Sequence, residues 1–320
     1  MSILKTGVIG VGYLGRFHAQ KYQAMDDVAL VAVVDTDMET AQKVAEECQC
    51  QAMDDINALL PQVDAVSIAV PTSYHYETAK KCLLAGIDIL VEKPFTVSLD
   101  EADELINLAH KNTCILQVGH LERFNPAVLA MQPMLKNPLF IEAHRLSTFK
   151  NRGTDVDVVL DLMIHDIDII LSMVNAPIET IHTVGTPVIT QKTDIANARI
   201  IFKNGCTANV TASRISLDNM RRMRIFQPGR YLTVDYNKKE VMSVELEEQT
   251  GATFPVPKMT KYGSEDQDIL ALELADFIRH VRTRTTPLVS GKEGRRALKI
   301  ALEVMHQIAN NREKVHGMLV

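Results

Sequence analysis

The chain has 320 residues, 46% of them hydrophobic and 23% charged, and carries a formal net charge of −6. That length exceeds what a single hydrophobic core usually organises, so two domains are expected. The acidic balance disfavours nucleic acid and anionic membrane surfaces as main partners.

Residues 1–120 alternate short β-branched runs (5–9, 29–34, 65–70, 87–91 and 114–118) with helical patterns (18–25, 38–48, 74–85 and 99–111). Strands that alternate with helices imply right-handed crossovers and a parallel, doubly wound sheet with helices on both faces. Beyond Gly119 the pattern changes. A strand over 140–149 leads to a long apolar helix over 157–174, then to strands over 178–189, 195–202, 207–213, 223–227, 231–236 and 240–245. Consecutive strands on short links favour antiparallel pairing. Two helices, 264–283 and 291–311, close the chain. The expectation is an α/β domain over 1–120 and an α+β domain over 121–320 with a mostly antiparallel open sheet, whose last helix packs back on the first domain. The start of the chain has no signal-peptide pattern, and no apolar run approaches the roughly 18 residues that span a bilayer. Five scattered cysteines read as reduced thiols. Cys48 and Cys50 offer two ligands where structural zinc wants about four. A cytoplasmic setting is expected.

Gly10-Val11-Gly12-Tyr13-Leu14-Gly15 fits G-x-G-x-x-G, between an apolar strand and a helix, and Asp35 ends the next strand. Glycines there allow a tight turn and close backbone approach, and the helix N-terminus offers free N–H groups to a pyrophosphate. A carboxylate at Asp35 accepts hydrogen bonds from ribose hydroxyls and repels a 2′-phosphate, and no Arg or Lys follows it immediately. A Rossmann domain binding NAD is the expectation.

Glu92-Lys93-Pro94 follows directly on the strand at 87–91, and ligands of doubly wound sheets bind beyond the carboxyl ends of strands. Pro94 restricts Lys93 to extended backbone. In the helix at 157–174, Asp161 and His165 lie one turn apart, with Asp157 and Asp168 extending the polar stripe. A His beside an Asp is a proton-transfer unit near neutral pH. Three readings stand for this group: a self-satisfied core pair, an acid/base pair, or a metal site from Asp157, Asp161 and His165. Hydride transfer beside a lysine needs no metal, so none is expected.

On these motifs, together with Pro71-Thr72-Ser73-Tyr74-His75, the chain resembles the Gfo/Idh/MocA oxidoreductases, such as glucose–fructose oxidoreductase and inositol 2-dehydrogenase, over essentially its whole length. The resemblance implies that Lys93 orients and polarises the reacting hydroxyl. It makes His165 the acid/base, and Asp161 a substrate ligand or partner of His165. Pro71, Thr72, His75, Glu92 and Lys93 would lie along the cofactor with Gly10, Gly12, Tyr13, Leu14, Gly15 and Asp35. Many members carry glycines just before the aspartate, where this chain has Val158-Val159-Leu160.

His120-Leu121-Glu122-Arg123-Phe124-Asn125-Pro126 and Asp161 to Asp168 resemble the branch that oxidises nucleotide sugars, which includes UDP-N-acetylglucosamine 3-dehydrogenases. That implies oxidation of UDP-N-acetylglucosamine at carbon 3, with Arg123 and Asn125 as substrate contacts. Arginine forks suit a diphosphate, and Arg123, Arg214, Arg221, Arg222 and Arg224 are candidates. Those on a strand read equally as edge protection or a subunit interface. Alternatives are a polyol or inositol dehydrogenase, a reductase of a small keto or imine compound, and an NAD-binding regulator without chemistry. An antiparallel sheet covered on one face implies a homodimer or homotetramer.

Overall fold

The computed structural model describes residues 3–149, 156–247, 256–263 and 266–319; side chains are described up to residue 246 in the second-last strand and up to 312 in the last helix. The chain divides into two compact units, Met1–Leu121 with Asp268–Arg295, and Glu122–Gln267 with Arg296–Val320.

The first unit is built on six strands: β1 (Leu4–Ile9), β2 (Val28–Val34), β3 (Gln51–Met53), β4 (Ala65–Ile68), β5 (Asp88–Glu92) and β6 (Leu116–Gly119). They lie in the order β3-β2-β1-β4-β5-β6, all pairs parallel. That is the doubly wound arrangement, whose strand order reverses between β1 and β4. The connecting helices are α1 (Tyr13–Gln23), α2 (Met38–Cys48), α3 (Ile56–Leu59), α4 (His75–Leu84) and α5 (Leu99–Lys111). Local chemistry sets their starts: Asp37 caps α2 by accepting from the Glu39 N–H, and Ser98 with Glu101 forms a capping box on α5. β4 and β5 are buried along their whole length, as strands covered on both faces must be.

The second unit begins with α6 (Pro126–Met131), capped by Asn125 with Pro126 at its first position. β7 (Phe140–Leu146) and α7 (Ile164–Met173) follow, then β8 (Ile178–Thr186), β9 (Ile195–Phe202), β10 (Thr207–Ser213), β11 (Met220–Gln227), β12 (Arg230–Asp235), β13 (Glu240–Glu247) and β14 (Val256–Gly263). The sheet order is β14-β13-β12-β11-β7-β10-β9-β8, antiparallel except for the parallel β7–β10 pair. β7 alternates between faces, with Ile141, Ala143 and Arg145 inward and Glu142 and His144 outward. The core of this unit joins the inward residues of β7 to β13 with α6, α7 and the apolar stripe Ala297, Ile300, Ala301, Val304 and Ile308.

α8 (Ile269–Thr283) packs Leu274, Phe277, Ile278 and Val281 into the core of the first unit. α9 (Gly291–Leu319) begins in that unit and continues in the second. The expected boundary at residue 120 therefore misses one return of the chain, 268–295, whose apolar stripe matches the first unit. The expected helix over 264–283 starts at Ile269, capped by Asp268; residues 264 and 265 lie outside the described residues. The strand expected over 140–149 stops at Leu146 and that over 178–189 at Thr186.

Candidate active site

In the first unit, β1 delivers the chain to Gly10, whose φ of +82° is open to glycine at little cost. A Cβ on Gly10 would stand 2.7 Å from the Val70 nitrogen, and one on Gly15 only 1.8 Å from the Gly10 oxygen. Gly12 faces open space at the start of α1, which has no side-chain cap and no acidic residue in its first turn. Free N–H groups and a helix dipole converge there, as a pyrophosphate requires. Leu14 is half-buried in the first helical turn, while Tyr13 is exposed and sets its ring edge-on against Phe17.

Asp35 stands just beyond β2, accepting from the Val11 N–H at 2.8 Å and the Asp37 N–H at 3.0 Å. The acid and the glycine loop are thus tied together before any ligand arrives. A pocket of about 470 Å³ adjoins the loop, and its two cations are already paired, Arg16 with Glu47 at 2.8 Å and Lys43 with Glu39 at 2.9 Å. This donor set fits the ribose diol of NAD better than a 2′-phosphate.

At the end of β5, Glu92 is buried. It meets His18 Nε2 at 3.1 Å and accepts from the Lys93 N–H at 3.2 Å. Its carboxylate lies flat against Gly119, where a Cβ would come within 2.9 Å of it. The ring of His75, which is buried, bridges the carbonyls of Val70 and Pro94 at 2.9 Å each. Burial holds its pKa below the ordinary value, so a neutral ring donates to one carbonyl at a time and braces the loop that carries Lys93. Pro71 opens a short 3-10 turn, Thr72–Tyr74, leading into α4. Lys93 itself is half-buried.

In the second unit, the apolar segment before α7 is not regular α-helix. Val159–Met163 forms a π-turn, a rare geometry found often at functional sites. Asp157 opens it by accepting from the Val159 N–H at 2.9 Å. Val158, Val159, Met163 and Ile164 are buried, while Asp157, Asp161 and His165 lie on the partly exposed stripe. Asp168 does not extend that stripe: it is 3% exposed and faces Arg123 at 3.7 Å.

Behind the stripe lies a buried ionic network. Arg145 forks onto Asp166, Nε to Oδ2 at 2.8 Å and Nη2 to Oδ1 at 3.1 Å, and its Nη1 reaches Glu122 at 2.9 Å. Burial opposes the Arg145 charge, but Asp166 and Glu122 outweigh it and hold the guanidinium pKa above its ordinary value. Asn125 is fully buried; it donates to Glu122 and the Tyr236 carbonyl while capping α6. Among the described residues, no three His, Cys, Asp or Glu side chains converge as a metal site.

Similarity to known proteins gives the family. Residues 4–120 match the model for the oxidoreductase family with an NAD-binding Rossmann fold, and residues 137–227 match the GFO/IDH/MocA C-terminal domain. A UDP-N-acetylglucosamine 3-dehydrogenase from Acidithiobacillus ferrooxidans is 40% identical over 94% of this chain and 96% of its own. The chain belongs to the GFO/IDH/MocA family. It is therefore an NAD-dependent oxidoreductase. A solved structure of the Acidithiobacillus enzyme matches with a TM-score of 0.90 at 39% identity, covering 96% of this chain and 98% of that one. The myo-inositol 2-dehydrogenase of Thermotoga maritima is 24% identical over 97% of each chain. A levoglucosan dehydrogenase complexed with NADH shares the fold alone, with a TM-score of 0.86 at 18% identity over 96% of this chain and 97% of its own.

For this GFO/IDH/MocA oxidoreductase, the motifs singled out in the sequence settle into two sets. Gly10, Gly12, Tyr13, Leu14, Gly15 and Asp35 gather on one loop and strand end, while Pro71, Thr72, His75, Glu92 and Lys93 flank the ends of β4 and β5. Asp161 and His165 share the π-turn and α7. Arg123 and Asn125 are buried in the network behind that helix. Arg214 is also buried, donating to the Val156 carbonyl. Arg222 and Arg224 do share the outer face of β11, where each meets a carboxylate, Asp235 and Glu142 respectively. Sequence reasoning overlooked His18, Arg145, Asp166 and Asp194. One signal was available: Arg145 occupies an inward position of a strand, and a cation there requires a buried anion.

Proposed function

We propose that this oxidoreductase oxidises UDP-N-acetylglucosamine at carbon 3 to the 3-keto sugar. The observation that supports it most is a half-buried Asp161 on the π-turn and His165 in the first turn of α7, in a chain 40% identical to a UDP-N-acetylglucosamine 3-dehydrogenase over 94% of its length. NAD, when bound, accepts the hydride lost from the carbon.

The remaining work falls to side chains. His165 takes the hydroxyl proton, with Asp161 orienting the ring or holding a neighbouring hydroxyl. Lys93 donates to the reacting oxygen and stabilises the negative charge that develops on it. Glu92 and His75 hold Lys93 in place, and Gly10, Gly12 and Gly15 leave room for the pyrophosphate. Tyr13, Leu14, Pro71 and Thr72 line the cofactor's path. Arg123 and Asn125 serve the sugar at one remove, by fixing the helix that carries His165.

A polyol reading has its own support in the myo-inositol dehydrogenase at 24% identity. A turnover panel separates the two: NAD reduction followed by absorbance with UDP-N-acetylglucosamine, UDP-galactose and myo-inositol. Selective reduction with UDP-N-acetylglucosamine is expected. Turnover of myo-inositol alone would replace the substrate assignment and keep the cofactor and fold.

We further propose that the enzyme is a homo-oligomer built through the outer face of the second sheet. That face carries a groove of about 750 Å³ lined by Arg222, Arg224, Tyr231, Met242 and Met259 among others. No helix among the described residues is long and apolar enough to cross a membrane. Light scattering at micromolar concentration should return a multiple of the chain mass; a monomer would refute the assembly.

A further inference from the structure

Arg214 follows β10 and is only 5% exposed, an expensive place for a guanidinium. The nearest explanation would be to neutralise Asp194, which is fully buried. Asp194 does not need it. Its Oδ2 accepts from the N–H groups of Val188, Ile189 and Thr190 at 2.8, 2.7 and 2.8 Å, and its Oδ1 from the Thr190 hydroxyl at 2.7 Å. Burial pushes this carboxyl upward, but those donors overcome it and bring its pKa down to about 2. The guanidinium stands off at 4.0 Å from Nε to Oδ1.

A short contact lies elsewhere. Nη2 donates to the carbonyl of Val156 at 2.5 Å, one residue before Asp157 opens the π-turn. Two backbone bonds anchor the same junction: Val158 N–H to the Thr193 carbonyl at 3.1 Å, and Arg214 N–H to the Asp194 carbonyl at 3.0 Å. A π-turn bonds less favourably than an α-helix and needs outside support to persist. Arg214, seated on the Asp194 knot, supplies that support at the turn's entry.

We propose that Arg214 is a positioning residue, which acts through the Val156 carbonyl to fix the π-turn and so aim Asp161 and His165 at the substrate. The inference rests on the acid/base reading of His165. Proton transfer is sensitive to small displacements, and about 1 Å of misplacement can lower a rate ~100-fold. A purely structural role would instead reduce the folded fraction and leave the chemistry of the folded molecules alone.

The test uses the full-length enzyme with NAD and UDP-N-acetylglucosamine, unlabelled and deuterated at carbon 3, and compares Arg214→Met and Arg214→Lys with the parent. Arg214→Met should lower kcat ~10- to 100-fold with a smaller change in KM and no change in NAD affinity. The isotope effect on kcat should rise as hydride transfer becomes limiting, and the acidic limb of the kcat/KM profile should move. Its melting temperature should hold, because Asp194 keeps its four donors. Arg214→Lys, which keeps a cation able to reach the carbonyl, should fall between the two and stands in should the methionine variant fail to fold. Unchanged isotope effect and pH profile in both variants would overturn the proposal. Parent turnover alone tests the substrate; should the parent oxidise only myo-inositol, the same comparison is made with deuterated myo-inositol.

Discussion

The two candidate functional junctions of this enzyme are held by opposite means. The cofactor loop between β1 and α1 is shaped by absences: no side chain at Gly10 or Gly15, and no cap on α1. The π-turn and the α7 helix it leads into are held by presences, a set of buried charges that reach this segment from distant parts of the chain. Arg145 joins Asp166 and Glu122 from 21 and 23 residues away, and Arg214 reaches Val156 across 58. A phosphate-binding loop must let backbone approach a ligand closely. A proton-transfer group must instead keep one orientation, and charged forks supply orientation better than apolar packing does.

The comparison breaks most sharply at His165, the proposed acid/base. His165→Asn should lower kcat ~100- to 10,000-fold, the usual contribution of a positioned general base, with NAD affinity intact by titration. A full-rate His165→Asn enzyme would move the proton-transfer role off α7. Next is the network behind it. Arg145→Met leaves Asp166 and Glu122 buried without their cation and should destabilise the protein by ~3–5 kcal/mol in denaturant unfolding. A neutral result would mean that the network adds orientation at no cost to stability.

In the first unit, Asp35→Asn should weaken NAD ~10- to 100-fold, as loss of a charge-assisted hydrogen bond costs ~1.5–3 kcal/mol, and should narrow the preference over NADP. Equal affinities for NAD in variant and parent would take Asp35 out of ribose recognition.

The smallest effect per pH unit concerns Glu273 on α8. It is fully buried, and neither carboxyl oxygen has a hydrogen-bond partner among the described residues. Burial first, then the charges of Glu92 and Asp276, raise its pKa well above the ordinary value. The folded state therefore holds a proton that the unfolded state releases above pH ~4.3. Stability from this group is complete below that pH and declines as pH rises toward the folded pKa, by at most ~1.4 kcal/mol per unit. Glu273→Gln should match the parent in melting temperature near pH 4 and exceed it increasingly toward pH 8. Parallel curves would show that Glu273 is ionised in the fold.

How much was legible follows from the same contrast. The glycines, Asp35 and Glu92-Lys93-Pro94 declare themselves because their constraints are local in sequence, and the parallel sheet follows from alternating runs. The π-turn was invisible in an apolar segment where helix and π-turn share one composition. Arg123 and Asn125 were expected at the substrate, yet Arg123 faces Asp168 on α7 and Asn125 donates to the Tyr236 carbonyl, partners that only tertiary structure brings near. β14 was missed because nearly all of it is exposed and it lacks the alternation that marks a half-buried strand.

The most direct test of the account follows one atom. UDP-N-acetylglucosamine deuterated at carbon 3 is incubated with the enzyme and NAD, and the reduced cofactor is weighed by mass spectrometry. The account predicts NADH carrying the deuterium, formed by the parent and not by His165→Asn. Unlabelled NADH, or none at all from a folded enzyme that binds NAD, would contradict it.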